Sequence, residues 1–239
     1  MNQNSSGFLN SIPPVTKNLI IINLLIWLAS IALPKIGIDL IPLFGLHIPG
    51  ATDFGIWQIV TYMFMHDTSS ISHVFFNMFA VYMFGRVLEN VWGAKRFIIF
   101  YLVTGIGAGL VQELVWFINL HDVIFSHQEM VNLNGIHLMT KADFLSRFVT
   151  IGASGSVFGV LLAFGMLFPN IPLYIMFVPV PIKAKWFVIG YGLIELFLGV
   201  ANFGGDNVAH FAHLGGMIFG FFMIRYWKKK DQNNGRYFY

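Results

Sequence analysis

Long apolar runs, separated by short polar or proline-containing stretches, dominate the pattern of residues along the chain. Apolar runs of about 20 residues are typical of helices that cross a lipid bilayer. Charges and prolines mark the ends of these runs. We therefore predict six membrane-spanning helices, at about residues 19–33, 73–89, 96–118, 148–168, 185–202 and 207–227.

The connecting segments differ in polarity. Residues 35–71 form a loop rich in aromatic side chains, which suit the headgroup level of a membrane better than water. Residues 119–146 form a polar loop. Four prolines between residues 169 and 181 predict an irregular connection without a seventh helix. Residues 1–16 and 228–239 are predicted to be a polar N-terminal tail and a solvated C-terminal tail.

Composition agrees with a membrane protein. The chain has 239 residues, of which 56% are hydrophobic and 10% charged, and its mean hydropathy is +0.70. Six spans would use about half of that length, so we predict one all-α membrane domain over residues 1–239. The chain has no cysteine, which excludes disulfides, thiolate metal sites and cysteine nucleophiles.

The basic residues indicate an orientation. With six spans and a cytoplasmic N-terminus, all but three of the fourteen Lys and Arg residues lie on the cytoplasmic side, the exceptions being Lys35, Lys141 and Arg147. The positive-inside rule then places both termini in the cytoplasm. Because the basic residues follow membrane edges, the net charge of +3 does not indicate nucleic-acid binding.

The fourth predicted helix carries a serine between glycines, in the run Gly152-Ala153-Ser154-Gly155. A serine in a membrane helix usually bonds its own backbone or a neighbouring helix. The Gly155 and Gly159 pair, at a four-residue spacing, would let two helices pack closely. This stretch alone is therefore open to a packing interpretation and to a nucleophilic one.

The last predicted helix carries His213, followed by Gly216 and Gly220 at the same four-residue spacing. An imidazole within hydrocarbon normally faces a partner or a water-filled cavity. Two helices with matching small faces can pack closely, and a serine and a histidine brought together supply a nucleophile and its general base. His210 competes for the role of base, but the glycines fit the motif from His213.

Depth in the membrane supports this pairing. Ser154 follows Arg147 by seven residues, and His213 follows Asp206 by seven. At 1.5 Å per residue, both side chains would lie about 10 Å below the outer surface. Asp206 itself is better placed as an N-cap of the last helix than as a partner of His213.

The second predicted helix adds His73 and Asn77, one helical turn apart and near the same surface. Neutral donors directed at one point are what an oxyanion requires. The alternative is that Asn77 hydrogen-bonds a neighbouring helix and has no chemical role.

Together these motifs resemble those of the rhomboid intramembrane serine proteases, from about Trp57 to Tyr226. The resemblance implies a Ser154–His213 dyad without an acidic partner. It also implies an oxyanion hole formed by Asn77, His73 and the Ser154 amide. Residues expected to pack around this site are Phe158, Gly152, Gly155, Gly216 and Gly220.

The resemblance further implies an endopeptidase that acts on transmembrane protein substrates in contact with membrane lipid, most simply in a bacterial inner membrane. No cofactor and no metal are expected, since His121, His127 and His137 are scattered along the polar loop without metal-ligand spacing. One departure is Gln58, which stands where the family has an arginine. The oligomeric state stays open.

Two other functions remain as alternatives. One is a catalytically inactive rhomboid-like protein that binds transmembrane segments. The other is a transporter or channel, which is poorly supported because we find no inverted repeat and no paired intramembrane charges in the sequence.

Overall fold

The structure is a computed structural model that describes residues 11–133, 137–174, 180–201 and 209–233. The chain is mostly helical. The α-helices are α1 Pro14–Ala32, α2 Leu40–Phe44, α3 Gln58–Thr61, α4 Ile71–Ala80, α5 Arg86–Trp92, α6 Ala94–Asn119, α7 His121–Ile124, α8 Lys141–Leu145, α9 Ser154–Leu167, α10 Ala184–Ala201 and α11 His210–Asn233.

The described strands form three two-stranded antiparallel sheets. Their bounds are β1 Leu46–His47, β2 Met130–Leu133, β3 His137–Thr140, β4 Val149–Thr150, β5 Pro172–Leu173 and β6 Ile182–Lys183. The β1–β4 pair joins the first long loop to the segment before α9, with Leu46 opposite Thr150. The β2–β3 hairpin lies in the loop of residues 119–146.

Four helical stretches are long and apolar enough to cross a membrane: Pro14–Ile36, Ile71–Trp92, Ala94–Asn119 and Ala184–Ala201. They correspond to the first, second, third and fifth predicted spans. The second stretch runs through α4, a π-helical segment at Val81–Gly85 and α5. Helix α9 is apolar but has only 14 residues, and α11 has 24.

Three predicted boundaries are wrong. The fourth span was expected from residue 148, but α9 begins only at Ser154 because residues 149 and 150 pair with β1. The C-terminal tail was expected to be solvated from residue 228, yet α11 continues to Asn233, where Asp231 accepts two hydrogen bonds from Arg96 at 2.7 and 2.8 Å. The N-terminal tail was expected to reach residue 16, but α1 begins at Pro14.

Helices α6, α9 and α11 pack against one another and form the centre of the molecule. Glycines permit this closeness, because a Cβ on Gly216 would overlap the Gly155 carbonyl and one on Gly159 would press on Thr104. The first helix is held to α5 by Glu89, whose carboxylate accepts hydrogen bonds from the first backbone N–H groups of α1.

Candidate active site

Ser154 is the first residue of α9, and its position is set by the chain just before the helix. Gly152 has φ +130°, in the left-handed region that side chains with a Cβ rarely adopt. Its N–H donates to the Tyr62 carbonyl at 2.9 Å. The turn at Gly152 and the β1–β4 pair therefore fix where α9 starts, and they place Ser154 at the helix N-terminus.

His213 lies on α11 and meets Ser154 across the helix interface. Its Nε2 is 2.7 Å from the Ser154 Oγ, a distance typical of a strong hydrogen bond. The imidazole stacks on Phe158, with ring centroids 4.2 Å apart and planes inclined by 8°. The structure thus brings together the predicted serine and histidine and places the predicted aromatic against the imidazole.

An acidic residue that sequence reasoning missed completes this arrangement. Glu195 on α10 is buried, and its Oε2 lies 2.8 Å from the His213 Nδ1 and 2.7 Å from the His210 Nδ1. The expectation of no acidic partner beside His213 is therefore wrong. A signal was present, since Glu195 is the only acidic residue in the apolar helix α10.

Within the described ranges, the same three side chains form a cluster whose ligand atoms lie close enough together to hold a metal ion. One ligand atom from each of Glu195, His210 and His213 lies within 4.8 Å of the others. His121 and His127 belong to no such group in those ranges.

His73 lies beside Ser154 and has a defined tautomer when neutral. Its Nδ1 accepts a hydrogen bond from the Asp67 N–H at 3.2 Å, so the ring proton of a neutral imidazole must be on Nε2. That Nε2 faces the serine turn, because a Cβ on Gly152 would lie 2.9 Å from it and 3.6 Å from the Ser154 Oγ. His73 can therefore donate a hydrogen bond near the serine.

Asn77 is buried one turn further along α4, and its Nδ2 donates to the His73 carbonyl at 2.9 Å. In the described residues no hydrogen bond joins Asn77 to Ser154 or to His213. Helix α4 packs against α9. The amide has a second N–H that this hydrogen bond does not use.

The segment before α4 supports the His73 ring. His66 is fully buried and contacts His73 edge to face, with ring centroids 5.1 Å apart. Burial lowers the pKa of His66 to about 3, so this imidazole is neutral at ordinary pH.

Asp67, whose backbone N–H bonds His73, also has a side chain held in place by hydrogen bonds. The Ser69 amide and hydroxyl donate to its carboxylate and hold the pKa of the Asp67 carboxyl below its ordinary value.

Gln58 anchors the first long loop. Its side chain is fully buried, its Oε1 accepts from the His47 N–H at 3.2 Å, and its Nε2 donates to the Asp53 and Pro42 carbonyls at 2.6 and 3.1 Å. A neutral amide therefore supplies both an acceptor and donors at the position where the family has an arginine.

Asp206, which the sequence predicts to be the N-cap of the last helix, lies outside the described residues.

Comparison with known proteins agrees with these motifs. The family model described as the Rhomboid domain matches residues 53–230. Similar proteins include the mitochondrial RHOMBOID-like protein 6 of Arabidopsis thaliana, 27% identical over 166 residues that cover 69% of this chain and 41% of that protein. Rhomboid protease GluP of Bacillus subtilis (strain 168) is 26% identical over 168 residues, covering 70% of this chain and 25% of that protein.

The chloroplastic Rhomboid-like protein 11 of Arabidopsis thaliana is 28% identical over 227 residues, covering 86% of this chain and 62% of that protein. The chain therefore spans less than two thirds of the length of each of these relatives. The family model, in contrast, matches most of the chain, and four apolar helical stretches are of membrane-spanning length. The protein is thus an integral membrane protein that belongs to the rhomboid family.

Proposed function

We propose that this protein is an intramembrane serine endopeptidase, which hydrolyses a peptide bond in or near a transmembrane segment of a membrane-protein substrate. The observation that supports this most directly is the 2.7 Å hydrogen bond between the Ser154 Oγ and the His213 Nε2. A hydroxyl paired with an imidazole is the arrangement of an activated serine nucleophile. A relative whose name includes rhomboid protease adds support.

In the proposed reaction, the Ser154 Oγ attacks the scissile carbonyl carbon while the His213 Nε2 takes the hydroxyl proton. The C–N bond then breaks, and His213 returns the proton to the leaving amine. Water attacks the resulting ester, again losing a proton to His213, and releases the acid product and free Ser154.

The oxyanion of the tetrahedral intermediate requires hydrogen-bond donors that point at it from near Ser154. We assign this role to the His73 Nε2–H, the second N–H of the Asn77 amide and the Ser154 backbone amide. The amide belongs to the first turn of α9, where backbone N–H groups lack helical acceptors and the helix dipole favours negative charge. The His73 tautomer set by Asp67 supplies the proton that such a donor needs.

The membrane arrangement follows as part of the proposal. Six spans, including α9 and α11, would place both termini in the cytoplasm, and residues 1–239 would form one domain. A substrate helix must unwind locally before reaction, because its internal hydrogen bonds shield its carbonyls. A site about 10 Å below the outer surface is shallow enough to receive water. No cofactor takes part in this mechanism.

The comparisons bear on which membrane holds the protein. The sequence-based expectation was a bacterial inner membrane, but two of the relatives are named as mitochondrial and chloroplastic. The comparisons therefore do not support a bacterial inner membrane, and we do not propose it.

The test is labelling of the detergent-solubilised protein with a serine-directed fluorophosphonate. We expect the wild type to be labelled, and Ser154→Ala and His213→Ala to lose the label. Ser156→Ala is the matched control, because Ser156 is buried two residues further along α9 and bonds the Tyr101 carbonyl at 2.8 Å. It should be labelled like the wild type.

Absence of labelling in folded wild-type protein would refute an activated Ser154. It would favour a rhomboid-like protein that binds transmembrane segments without cleaving them. Labelling that persists in Ser154→Ala would show that another serine is the nucleophile.

A further inference from the structure

We propose that Glu195 is a positioning residue for His213, so that the nucleophile, base and acid form a Ser154–His213–Glu195 chain. This inference rests on the proposed protease function. It replaces a two-residue site by one in which a third helix, α10, fixes the tautomer and direction of the imidazole.

The hydrogen bonds determine the tautomer. An ionised carboxylate can only accept, so the His213 Nδ1, at 2.8 Å from the Glu195 Oε2, must carry the proton. In the neutral ring the Nε2 then has a free lone pair, and this atom lies 2.7 Å from the Ser154 Oγ. The contact with Glu195 thus selects the one neutral tautomer that can accept the serine proton.

The positive charge that His213 acquires during the reaction gives a second reason for a role of Glu195. When His213 takes the serine proton it becomes an imidazolium among apolar helices, where an isolated charge is costly. Glu195 supplies the opposite charge at hydrogen-bond distance in a medium of low dielectric constant. The Phe158 ring, stacked on the imidazole at 4.2 Å, presents its negative face to the same charge.

His210 holds the carboxylate in place. Its Nδ1 donates to the same Oε2 at 2.7 Å, so two imidazoles on α11 fix the oxygen that faces His213. A carboxylate bonded from two sides keeps one orientation, which positioning requires.

The distances disfavour a metal ion as the reason for this cluster. Ligands at about 2.0 to 2.2 Å from a tetrahedral zinc are about 3.4 Å from one another. The observed N–O separations of 2.7 and 2.8 Å are shorter and match hydrogen bonds. A metal on the His213 Nδ1 would also leave the proton of a neutral ring on Nε2, which could then not accept from Ser154.

The test uses the full-length protein in detergent with Glu195→Gln, a change that keeps size and removes the charge. The glutamine amide can donate to the His213 Nδ1 and stabilise the wrong tautomer. We expect kcat on a transmembrane substrate to fall by about 10²- to 10⁴-fold with KM nearly unchanged, as for the aspartate-to-asparagine change in serine-protease triads. Glu113→Gln is the control, since Glu113 is a half-buried acid on α6 with no hydrogen bond to the site in the described residues.

The ¹⁵N NMR signals of the His213 ring are read in parallel, because a purely structural role for Glu195 would not change the tautomer. We expect a protonated Nδ1 in the wild type and a shift towards protonated Nε2 in Glu195→Gln. A kcat within about threefold of the wild type, or an unprotonated Nδ1 in the wild type, would overturn the proposal. Activity lost to a chelator and restored by Zn²⁺ would also overturn it, in favour of a metal site.

These outcomes separate the two proposals. If wild type shows no Ser154-dependent labelling, the protease function fails, while the NMR signals still decide whether Glu195 fixes the His213 tautomer. If wild type is active and Glu195→Gln is equally active, only the positioning role fails.

Discussion

Gly216→Ala tests the claim that helix packing delivers the histidine to the serine. In the structure, a Cβ on Gly216 would overlap the Gly155 carbonyl oxygen, which is backbone and cannot move aside on its own. Helices α9 and α11 must therefore separate or slide by about 1 Å to admit the methyl group. Gly216 lies one turn below His213 on α11, so the displacement is transmitted to the imidazole.

The structure sets the size of the effect. A shift of about 1 Å would lengthen the 2.7 Å contact between the Ser154 Oγ and the His213 Nε2 beyond hydrogen-bond range. Misplacement of a reacting group by this amount costs about 10²-fold in rate, and overpacking of a close interface costs about 1–3 kcal/mol of stability. We therefore expect both a slower reaction and a lower melting temperature.

The assay is the rate of fluorophosphonate labelling, with thermal unfolding measured in the same detergent. Two alanine variants provide a graded comparison. A Cβ on Gly190 in α10 meets no atom within 4 Å, so Gly190→Ala should match wild type. A Cβ on Gly220 would lie 3.2 Å from the Phe100 Cζ and 3.5 Å from the Gly159 Cα, so Gly220→Ala should have a small effect. If Gly216→Ala labelled as fast as Gly190→Ala and unfolded at the same temperature, close helix contact would not position His213.

Three further predictions concern the surroundings of the site. Gly152→Ala should lose most of the fluorophosphonate labelling and about 1–3 kcal/mol of stability. The reason is that φ +130° disfavours a side chain and the new Cβ would lie 2.9 Å from the His73 Nε2. Near-normal labelling would contradict this prediction. Gln58→Leu removes the hydrogen-bond partner of the His47 N–H and of the Asp53 carbonyl. The melting temperature should fall by an amount equivalent to about 1–3 kcal/mol for each buried backbone group left without a partner. An unchanged melting temperature would show that this glutamine does not anchor the loop. The hydrogen bonds from Ser69 to the Asp67 carboxylate should stabilise the fold fully above pH 3.8, the ordinary pKa of Asp67. This stabilisation should be lost as the pH falls through the lower pKa that Asp67 has in the folded state. A ¹³C NMR titration of the Asp67 carboxyl with a midpoint at or above 3.8 would refute the prediction.

Much of the helical framework could be predicted from the sequence. The length of an apolar run reflects the thickness of the hydrocarbon layer, and so α1, α6 and α10 begin and end within a few residues of the predicted spans, except at the N-terminus of α1. The pairing of Ser154 with His213 could also be predicted, because glycine spacing and equal depth constrain which faces of two helices can meet.

The start of α9 could not be predicted in this way. Apolar residues before Ser154 continue the pattern of a span, yet Val149 pairs with His47 across the β1–β4 ladder. That ladder joins residues about a hundred positions apart, so no local pattern indicates it.

Glu195 shows where the sequence stops and tertiary structure decides. Its position alone in an apolar helix indicates that the acid needs a partner, because an isolated carboxylate in hydrocarbon is unstable. The sequence does not say which partner. The rotation of α10 about its axis and its contact with α11 make that choice, and these depend on side-chain packing over both helices. The apolar pattern thus determined where the long apolar helices lie, while the packing of α9, α10 and α11 determined which polar groups meet between them.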